Sequence, residues 1–225
     1  MQKAYYHAVM FDFDGTLVDT MHEYARIASN EMEGIYGIAR ETARQLYLET
    51  SGIPFFQQLD LIFGPDQRND ACAIRYEDRK AVYLESVRMD PETKDTISQI
   101  RSFGVSIAIT SNNFQNLVDR FVREDIGLFD LVLGFGENMS KGPKQFTKVI
   151  DNFGVDRRHI LFVGDSLSDV RKALAFGIDF VAVSGTLKTE TFKALFPAVP
   201  VISSLVELQP LLHKKTPLNN KEIKS

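Results

Sequence analysis

The sequence predicts an α/β fold: a doubly wound, Rossmann-like parallel sheet with a small all-α domain inserted after the first strand. Three observations lead to this prediction. Short apolar runs recur along the chain, they alternate with helical patterns, and about ninety residues separate the first run from the second. A crossover helix needs far fewer residues, so the long gap indicates an insertion.

Six apolar runs predict the strands of the sheet. They are nearly continuous in apolar residues and rich in β-branched ones, which is typical of parallel strands buried on both faces. The runs cover residues 8–11, 105–109, 131–133, 160–163 and 180–183, with a weaker run at 199–202.

The segments between these runs carry the start and stop signals of helices. Asp90 is a predicted N-cap with Pro91 at the first helical position, and Gly104 ends that helix just before the next strand. Gly154 and Gly177 end the next two helical patterns in the same way. Strands and helices therefore alternate, as in a sheet with right-handed crossovers.

The insertion predicts a second domain. We expect residues 19–87 to form a helical cap domain, and residues 1–18 and 88–225 to form the α/β core domain. An appendage that only stabilises the core is the alternative. The insertion directly follows the loop with the richest set of reactive side chains, and this position favours a lid.

Local signals divide the insertion into helices. Thr20 and Glu23 have the spacing of a capping box that opens the first helix. Helical patterns follow at residues 39–49 and 66–88, with a break at 50–56 between them.

Composition excludes several classes of protein. The chain has 26 basic and 30 acidic residues, a net charge of −4, and 44 % apolar residues. This balance provides no basic surface for nucleic acid or an anionic membrane. Cys72 is the sole cysteine, so no internal disulfide is possible, which fits a reducing cytoplasm.

No apolar run is long enough to cross a bilayer. The short apolar stretch before Asp12 is not expected to be a signal peptide, and residues 214–225 are expected to be a solvated tail. We therefore expect a cytoplasmic protein with no nucleic-acid, membrane or obligatory protein partner.

Polar side chains follow several of the predicted strands. In open α/β sheets, ligands bind beyond the carboxyl ends of the strands. The residues expected there, in chain order, are Asp12, Asp14, Gly15, Thr16, Thr110, Ser111, Asn112, Lys141, Asp165 and Asp169. Clustered carboxylates repel one another and require a cation, and hard oxygen ligands suit Mg2+. The sequence therefore predicts a crevice for a divalent cation and a phosphoryl group.

Each of these segments also has an ordinary structural interpretation. Gly15 and Thr16 have the character of a turn. Residues 110–112 are expected to be the N-cap of the next helix, where hydroxyl and backbone N–H groups also bind anions. Lys141 by itself would be a surface lysine. Their order along the chain, each at a strand end or just beyond, favours the functional interpretation.

The sequence resembles the haloacid dehalogenase superfamily over nearly its whole length. Residues 12–19, Asp-Phe-Asp-Gly-Thr-Leu-Val-Asp, resemble the first motif, and residues 164–169 resemble the fourth. Thr110 resembles the second motif and Lys141 the third, with Lys144 as the alternative for the third. The helical insertion is similar to the C1-type cap of phosphoglycolate phosphatases and β-phosphoglucomutases.

The resemblance implies catalytic roles. Asp12 would be the nucleophile that forms an aspartyl-phosphate, and Asp14 would act as general acid and then as general base. Lys141 would neutralise charge on the phosphate oxygens. Asp169 would orient Lys141 or a metal-bound water.

It also implies a metal site and a phosphate site. Mg2+ would be held by the side chains of Asp12 and Asp165 and by the backbone carbonyl of Asp14. The substrate phosphate would be bound by Gly15, Thr16, Thr110 and the backbone N–H groups of Ser111 and Asn112.

Similar caps place their substrate-facing loop where residues 50–56 interrupt the helical pattern. Phe55 and Phe56 in this segment are expected to belong to the cap core rather than to contact substrate. Arg40 and Arg44 are close enough in sequence to meet a second anionic group, but solvated positions on a helix face are the expectation for both.

An aspartate at position 14 favours an alkoxide leaving group, since a halide needs no protonation. We therefore predict a Mg2+-dependent phosphatase acting on a small phosphorylated metabolite. A sugar-phosphate mutase is the alternative, because both reactions use the same pair of aspartates. A non-catalytic phosphoryl-binding regulatory module is a further alternative, but receiver modules are near half this length.

Overall fold

A computed structural model describes residues 4–215 of the chain. The solvated tail expected at 214–225 therefore lies mostly outside the described residues. Within 4–215, no helix combines the length and the apolar character needed to cross a membrane.

One sheet of parallel strands forms the centre of the molecule. The strands are Ala8–Phe11 (β1), Ser106–Phe114 (β2), Leu131–Phe135 (β3), Ile160–Gly164 (β4), Asp179–Val183 (β5) and Val201–Ile202 (β6). Their order across the sheet is β3-β2-β1-β4-β5-β6. The chain thus adds β2 and β3 on one side of β1 and then crosses to the other side. This reversal opens a crevice beyond the carboxyl ends of β1 and β4.

The α-helices of the described part are Met21–Tyr36 (α1), Arg40–Glu49 (α2), Phe55–Phe63 (α3), Arg68–Ser86 (α4), Pro91–Ser102 (α5), Gln115–Val122 (α6), Pro143–Phe153 (α7), Leu167–Phe176 (α8) and Thr189–Leu195 (α9). Short 3-10 segments cover Ile126–Leu128, Arg157–His159 and Leu205–His213. Helices α3 and α9 were not predicted from the sequence, and α6 begins three residues after the N-cap expected at 110–112.

Helix boundaries set by local signals match their predictions. Asp90 caps α5 by accepting a hydrogen bond from the backbone N–H of Thr93. Gly154 and Gly177 end α7 and α8 in the left-handed conformation, which costs glycine little because it has no Cβ.

Apolar side chains cover both faces of the sheet. Val9 and Phe11 of β1 belong to a buried cluster with side chains of α5 and α6. Ala8 and Met10 of the same strand belong to a second cluster with side chains of α7, α8 and α9. Helices therefore pack on both faces, and the predicted doubly wound α/β fold is confirmed.

Helices α1 to α4 all lie between β1 and β2 and share a third buried cluster, which includes Tyr24, Met32, Tyr47, Phe55, Leu59 and Tyr76. Four inserted helices with an apolar cluster of their own account for the long gap after the first strand. Burial of this cluster supplies the main driving force for their association.

The segment predicted to be a break is in part helical, since α3 begins at Phe55. Phe55 is buried with Leu59 one turn later, as expected for one face of a helix. The prediction that Phe56 is also buried in the cap is wrong, because its side chain is 39 % exposed. Adjacent helical residues point in different directions, and the ring of Phe56 instead contacts that of Phe135 at the end of β3.

Candidate active site

The pairing of β1 with β4 brings Asp12 and Asp165 to the same edge of the sheet. Phe11 lies opposite Val163 in the register, and the backbone N–H of Asp12 donates to the Val163 carbonyl over 2.8 Å. Each aspartate directly follows the last residue of its strand. Both side chains are buried, so their charges require partners.

Asp12, Asp165 and Asp169 form a cluster of buried carboxylates. One oxygen of each lies within 4.8 Å of the others. The hydroxyl of Ser166, the N-cap of α8, donates to Oδ2 of Asp169 over 2.6 Å and so orients this carboxylate. Burial, and then the charge of Asp169, raise the pKa of Asp165 to about 7, and a bound cation would favour its ionised form. This set of hard oxygen ligands fits Mg2+.

Lys141 provides positive charge to the cluster. Its Nζ lies 2.8 Å from Oδ1 of Asp12 and 2.7 Å from Oδ1 of Asp169. Burial opposes the ammonium form, but the two carboxylates together outweigh burial and raise the pKa of Lys141. Burial also raises the pKa of Asp12, and Lys141 offsets part of that rise. Lys144, the alternative for this position, is exposed on α7.

Asp14 lies in the same crevice with other partners. Its Oδ1 accepts a hydrogen bond from the Thr20 hydroxyl over 2.7 Å, and its Oδ2 accepts one from the Asn113 amide over 2.8 Å. Burial raises the pKa of Asp14, and the nearby Lys80 ammonium and the Thr20 hydroxyl offset part of the rise. A carboxyl group with a raised pKa suits proton transfer near neutral pH.

The predicted capping box at the start of α1 is wrong. The Thr20 side chain makes no hydrogen bond to the backbone of the helix, because its hydroxyl is directed to Asp14. Glu23 instead forms an ion pair with Arg26 one turn later. A long-range partner has displaced the local capping interaction.

Gly15 allows the loop after β1 to approach Asp165 closely. Its φ is +72°, and a Cβ at this position would lie 2.0 Å from Oδ2 of Asp165. The same oxygen accepts a hydrogen bond from the hydroxyl of Thr186. Thr16 and Thr110 have buried hydroxyls that form no hydrogen bond with any residue the structure describes. Buried hydroxyls normally have a partner, so both remain available to a bound anion.

Residues 110–112 do not cap a helix, contrary to the prediction. They belong to β2, and α6 begins only at Gln115. Thr110 pairs with Leu133 of β3, and after an irregularity the pairing resumes at Phe114. Pairing with the neighbouring strand holds Thr110, whereas Ser111 and Asn112 lie in the irregularity and bond to other parts of the chain: Ser111 to the backbone N–H of Asn113, and Asn112 to Gly52 and Lys141.

Asn112 connects the two sides of the crevice. Its Nδ2 donates to the carbonyl oxygen of Gly52 in the insertion over 2.9 Å, and its Oδ1 accepts from the backbone N–H of Lys141 over 3.0 Å. Ser111 accepts a hydrogen bond from the backbone N–H of Asn113 over 3.0 Å. Of the predicted site residues, Asp12, Asp14, Asn112, Lys141 and Asp165 line one cavity and Asp169 contacts Lys141, whereas Gly15, Thr16, Thr110 and Ser111 do not line that cavity.

The inserted helices lie over this crevice and line a partly open cavity of about 60 Å3. Its lining includes Asp12, Asp14, Lys141 and Asp165 on the sheet side, and Tyr24, Tyr47, Tyr76, Glu77 and Lys80 on the insertion side. Arg40 does not take part, since it is exposed and forms an ion pair with Glu33.

Several residues of the crevice were not anticipated. Thr186 follows β5, so the rule that sites lie beyond strand ends could have found it. Asn113 directly follows the predicted second motif. Glu77 and Lys80 lie in the middle of α4, about sixty residues from Asp14, and no local pattern marks them.

Comparison with known proteins gives consistent matches. A family model described as "Haloacid dehalogenase-like hydrolase" matches residues 9–183. A phosphoglycolate phosphatase of Synechococcus elongatus is 24 % identical over 188 residues, covering 79 % of this chain and 83 % of the relative. A phosphorylated carbohydrates phosphatase of Thermotoga maritima is 24 % identical over 184 residues, covering 76 % and 82 %. The structure of a haloacid dehalogenase-like family hydrolase from Streptococcus pneumoniae superimposes with a TM-score of 0.75 at 16 % identity, covering 92 % of this chain and 98 % of that chain.

Proposed function

The chain belongs to the haloacid dehalogenase-like hydrolase family, and on this premise we propose that it is a Mg2+-dependent phosphatase that cleaves a small phosphorylated metabolite through an aspartyl-phosphate. The family and the enzyme class predicted from the motifs, a phosphatase of this superfamily, are confirmed by the comparisons. The observation that carries the finer proposal is the position of the Lys141 ammonium between Asp12 and Asp169, beside Asp165.

Asp12 is the proposed nucleophile. One of its carboxylate oxygens attacks the phosphorus atom, the bond from phosphorus to the ester oxygen breaks, and the leaving alkoxide takes a proton from Asp14. Water then attacks the phosphorus atom of the aspartyl-phosphate while Asp14 accepts a proton from that water, the bond from phosphorus to the Asp12 oxygen breaks, and inorganic phosphate leaves with the Asp12 carboxylate restored. The separate environments of the two carboxylates support this division. Asp12 contacts a cation, whereas Asp14 accepts hydrogen bonds from a hydroxyl and an amide.

The side chains of Asp12 and Asp165, with the backbone carbonyl of Asp14, are the proposed ligands of Mg2+. When bound, this ion would neutralise negative charge on the nucleophile and on the phosphate. Asp169 holds Lys141 in position to contact the same phosphate oxygens, and the ion pair of 2.7 Å between them supports that role.

The substrate phosphate is proposed to lie against the loop after β1 and the end of β2. The buried hydroxyls of Thr16 and Thr110 lack partners among residues 4–215, and this supports their role as donors. Gly15 and the backbone N–H groups of Ser111 and Asn112 complete the proposed phosphate site, since donors aimed at developing charge are the main source of stabilisation in such reactions.

Residues 19–87 are proposed to act as a cap domain over a core formed by residues 1–18 and 88–225. The separate apolar cluster of α1 to α4, and a cavity lined from both sides, support this division. A cap that encloses the site excludes water and selects the substrate. The buried, free thiol of Cys72 supports a reducing compartment, and we propose the cytoplasm.

The test is release of inorganic phosphate from a panel of phosphomonoesters in the presence of Mg2+. We expect activity that EDTA abolishes and excess Mg2+ restores. Asp12→Asn should lower kcat by at least about 10³-fold, because an amide is not a nucleophile for this reaction. Activity of the variant at the wild-type level would refute the assigned nucleophile. An isomerised phosphosugar without free phosphate would instead identify a mutase.

A further inference from the structure

Within the proposed phosphatase function, on which this inference rests, we propose that the enzyme selects phosphomonoesters with an uncharged alcohol. Substrates whose alcohol carries a carboxylate or a second phosphate are disfavoured. The inference comes from the insertion side of the cavity, here called the roof and defined as Tyr24, Tyr47, Tyr76, Glu77 and Lys80. The phosphate binds at the opposite side, so the alcohol portion of the substrate faces the roof.

The roof contains one cation, and that cation is already paired. Lys80 is 4 % exposed, and its Nζ lies 2.5 Å from Oε2 of Glu77. The same ammonium lies 5.6 Å from the ring centre of Tyr24 and 5.2 Å from that of Tyr76. An ammonium held by a carboxylate and two aromatic rings has little capacity left for an anionic ligand.

No other cation in the described part of the chain is available to the roof. Lys141 and Lys80 are the basic residues that line the cavity. Lys141 is held by Asp12 and Asp169. Lys172 approaches from α8, but its ammonium donates to the carbonyl oxygen of Gly52 and it does not line the cavity.

Carboxylates lie on both sides of the cavity in which a second anion would have to bind. Asp14 is on the sheet side of the cavity and Glu77 is on the roof side. Lys141 is paired with Asp12 and Asp169, and the charge of a bound Mg2+ would be balanced by its carboxylate ligands and the phosphate. A second anion would therefore lose its hydration and gain no compensating charge, which is strongly unfavourable in a small cavity.

The roof is suited to a neutral group that forms hydrogen bonds. The hydroxyls of Tyr47 and Tyr76 are 2.7 Å apart and share one hydrogen bond. The hydroxyl of Tyr24 is buried next to the Asp14 carboxylate. An alcohol hydroxyl on the substrate can form hydrogen bonds with these tyrosine hydroxyls, and the tyrosine rings can pack against its carbon atoms.

The experiment compares substrates that differ only in this charge. Glycerol 3-phosphate and 3-phosphoglycerate differ by a hydroxymethyl group in place of a carboxylate. The same difference separates 2-hydroxyethyl phosphate from 2-phosphoglycolate. In each pair we expect kcat/KM to be at least about tenfold higher for the neutral alcohol. The carboxylate loses hydrogen bonds to water that the cavity does not replace, and one charged hydrogen bond of about 1.5 kcal/mol corresponds to a factor of about ten.

A variant tests the cause of the selectivity. Glu77→Gln keeps the shape of the side chain but leaves Lys80 unpaired, so kcat/KM for both carboxylate substrates should rise about tenfold relative to their neutral partners. Asp78→Asn makes the same charge change at the next, exposed position of α4 and should leave the ratio unaltered. An equal change in both variants would show a general effect of net charge and overturn the proposal.

The outcomes also separate this inference from the function on which it rests. If none of the four esters nor p-nitrophenyl phosphate is hydrolysed, the proposed phosphatase function fails. If the carboxylate esters are hydrolysed as well as or better than the neutral ones, the phosphatase function stands and the selectivity is refuted.

Discussion

The ammonium of Lys172 donates a hydrogen bond of 2.8 Å to the carbonyl oxygen of Gly52 and thereby joins α8 to the loop between α2 and α3. The same carbonyl oxygen also accepts from Asn112 over 2.9 Å and from Ser168 over 3.3 Å. Three donors from the α/β part of the chain thus converge on one backbone atom of the insertion. This contact holds the insertion over the crevice.

Gly52→Ala should disturb this contact. The φ of Gly52 is +88°, and a Cβ would lie 2.4 Å from Oγ of Ser166 and 2.7 Å from Cβ of Ser168. Because small displacements at a site cost about 10²-fold in rate, we expect kcat/KM to fall by roughly that factor. Gly37→Ala is the matched control, since its φ is +73° and nothing lies within 4 Å. Equal losses of activity in both variants would contradict the prediction.

Lys172→Met should weaken closure without changing the chemistry. It removes a charged hydrogen bond to Gly52, so we expect KM to rise about tenfold while kcat changes less. Lys172→Arg retains a donor and should recover most of the loss. The measurement is steady-state hydrolysis of p-nitrophenyl phosphate, and a fall in kcat alone would argue against a role in closure.

The pKa of Lys172 makes its contribution to stability depend on pH. Burial lowers this pKa from 10.5 to about 8. Between these values the unfolded chain binds more protons than the folded one, so the free energy of unfolding contributed by Lys172 increases as the pH rises. The wild type should therefore gain stability over Lys172→Met between pH 8 and pH 10. Urea unfolding at several pH values measures this difference, and a constant difference would contradict the shifted pKa.

Lys141 and Lys144 can be distinguished directly. Lys141→Met should reduce kcat/KM by about 10³-fold, because an ammonium beside the reacting phosphate is lost. It also leaves buried carboxylates without a cation, so the metal-free protein should lose about 3 kcal/mol of stability. Lys144→Met removes an exposed lysine from the first turn of α7 and should leave both kcat/KM and the free energy of unfolding unchanged. The reverse result would assign the third motif to Lys144.

Mg2+ should stabilise the folded chain through Asp165. At about 100 times its dissociation constant a ligand contributes about 2.7 kcal/mol, which corresponds to a rise in Tm of about 5 °C or more at this chain length. Asp165→Asn should abolish the rise. Asp151→Asn changes an exposed carboxylate on α7 and should retain it. A Tm shift that survives in Asp165→Asn would place the ion elsewhere.

Much of this protein follows from signals that lie close together in sequence. The buried strands, the Asp90 cap and the glycines that end α7 and α8 match their predictions because each depends on neighbouring residues. The residues of the four motifs could be located for a related reason. Parallel strands bring their carboxyl ends to one edge, so knowing the strand ends is enough to group the residues that follow them.

Tertiary structure decided what depended on distant partners. Thr20 has the local pattern of a helix cap, yet its hydroxyl is bonded to Asp14. Residues 110–112 have the composition of a helix start, yet Thr110 pairs with β3 and the side chain of Asn112 bonds to Gly52 and Lys141. Lys80 and Glu77 are three residues apart, so their pairing follows from helical spacing. The position of this pair opposite Asp14 depends on how α4 packs over the crevice. Local preferences amount to about 1 kcal/mol or less, and long-range hydrogen bonds and burial are strong enough to override them.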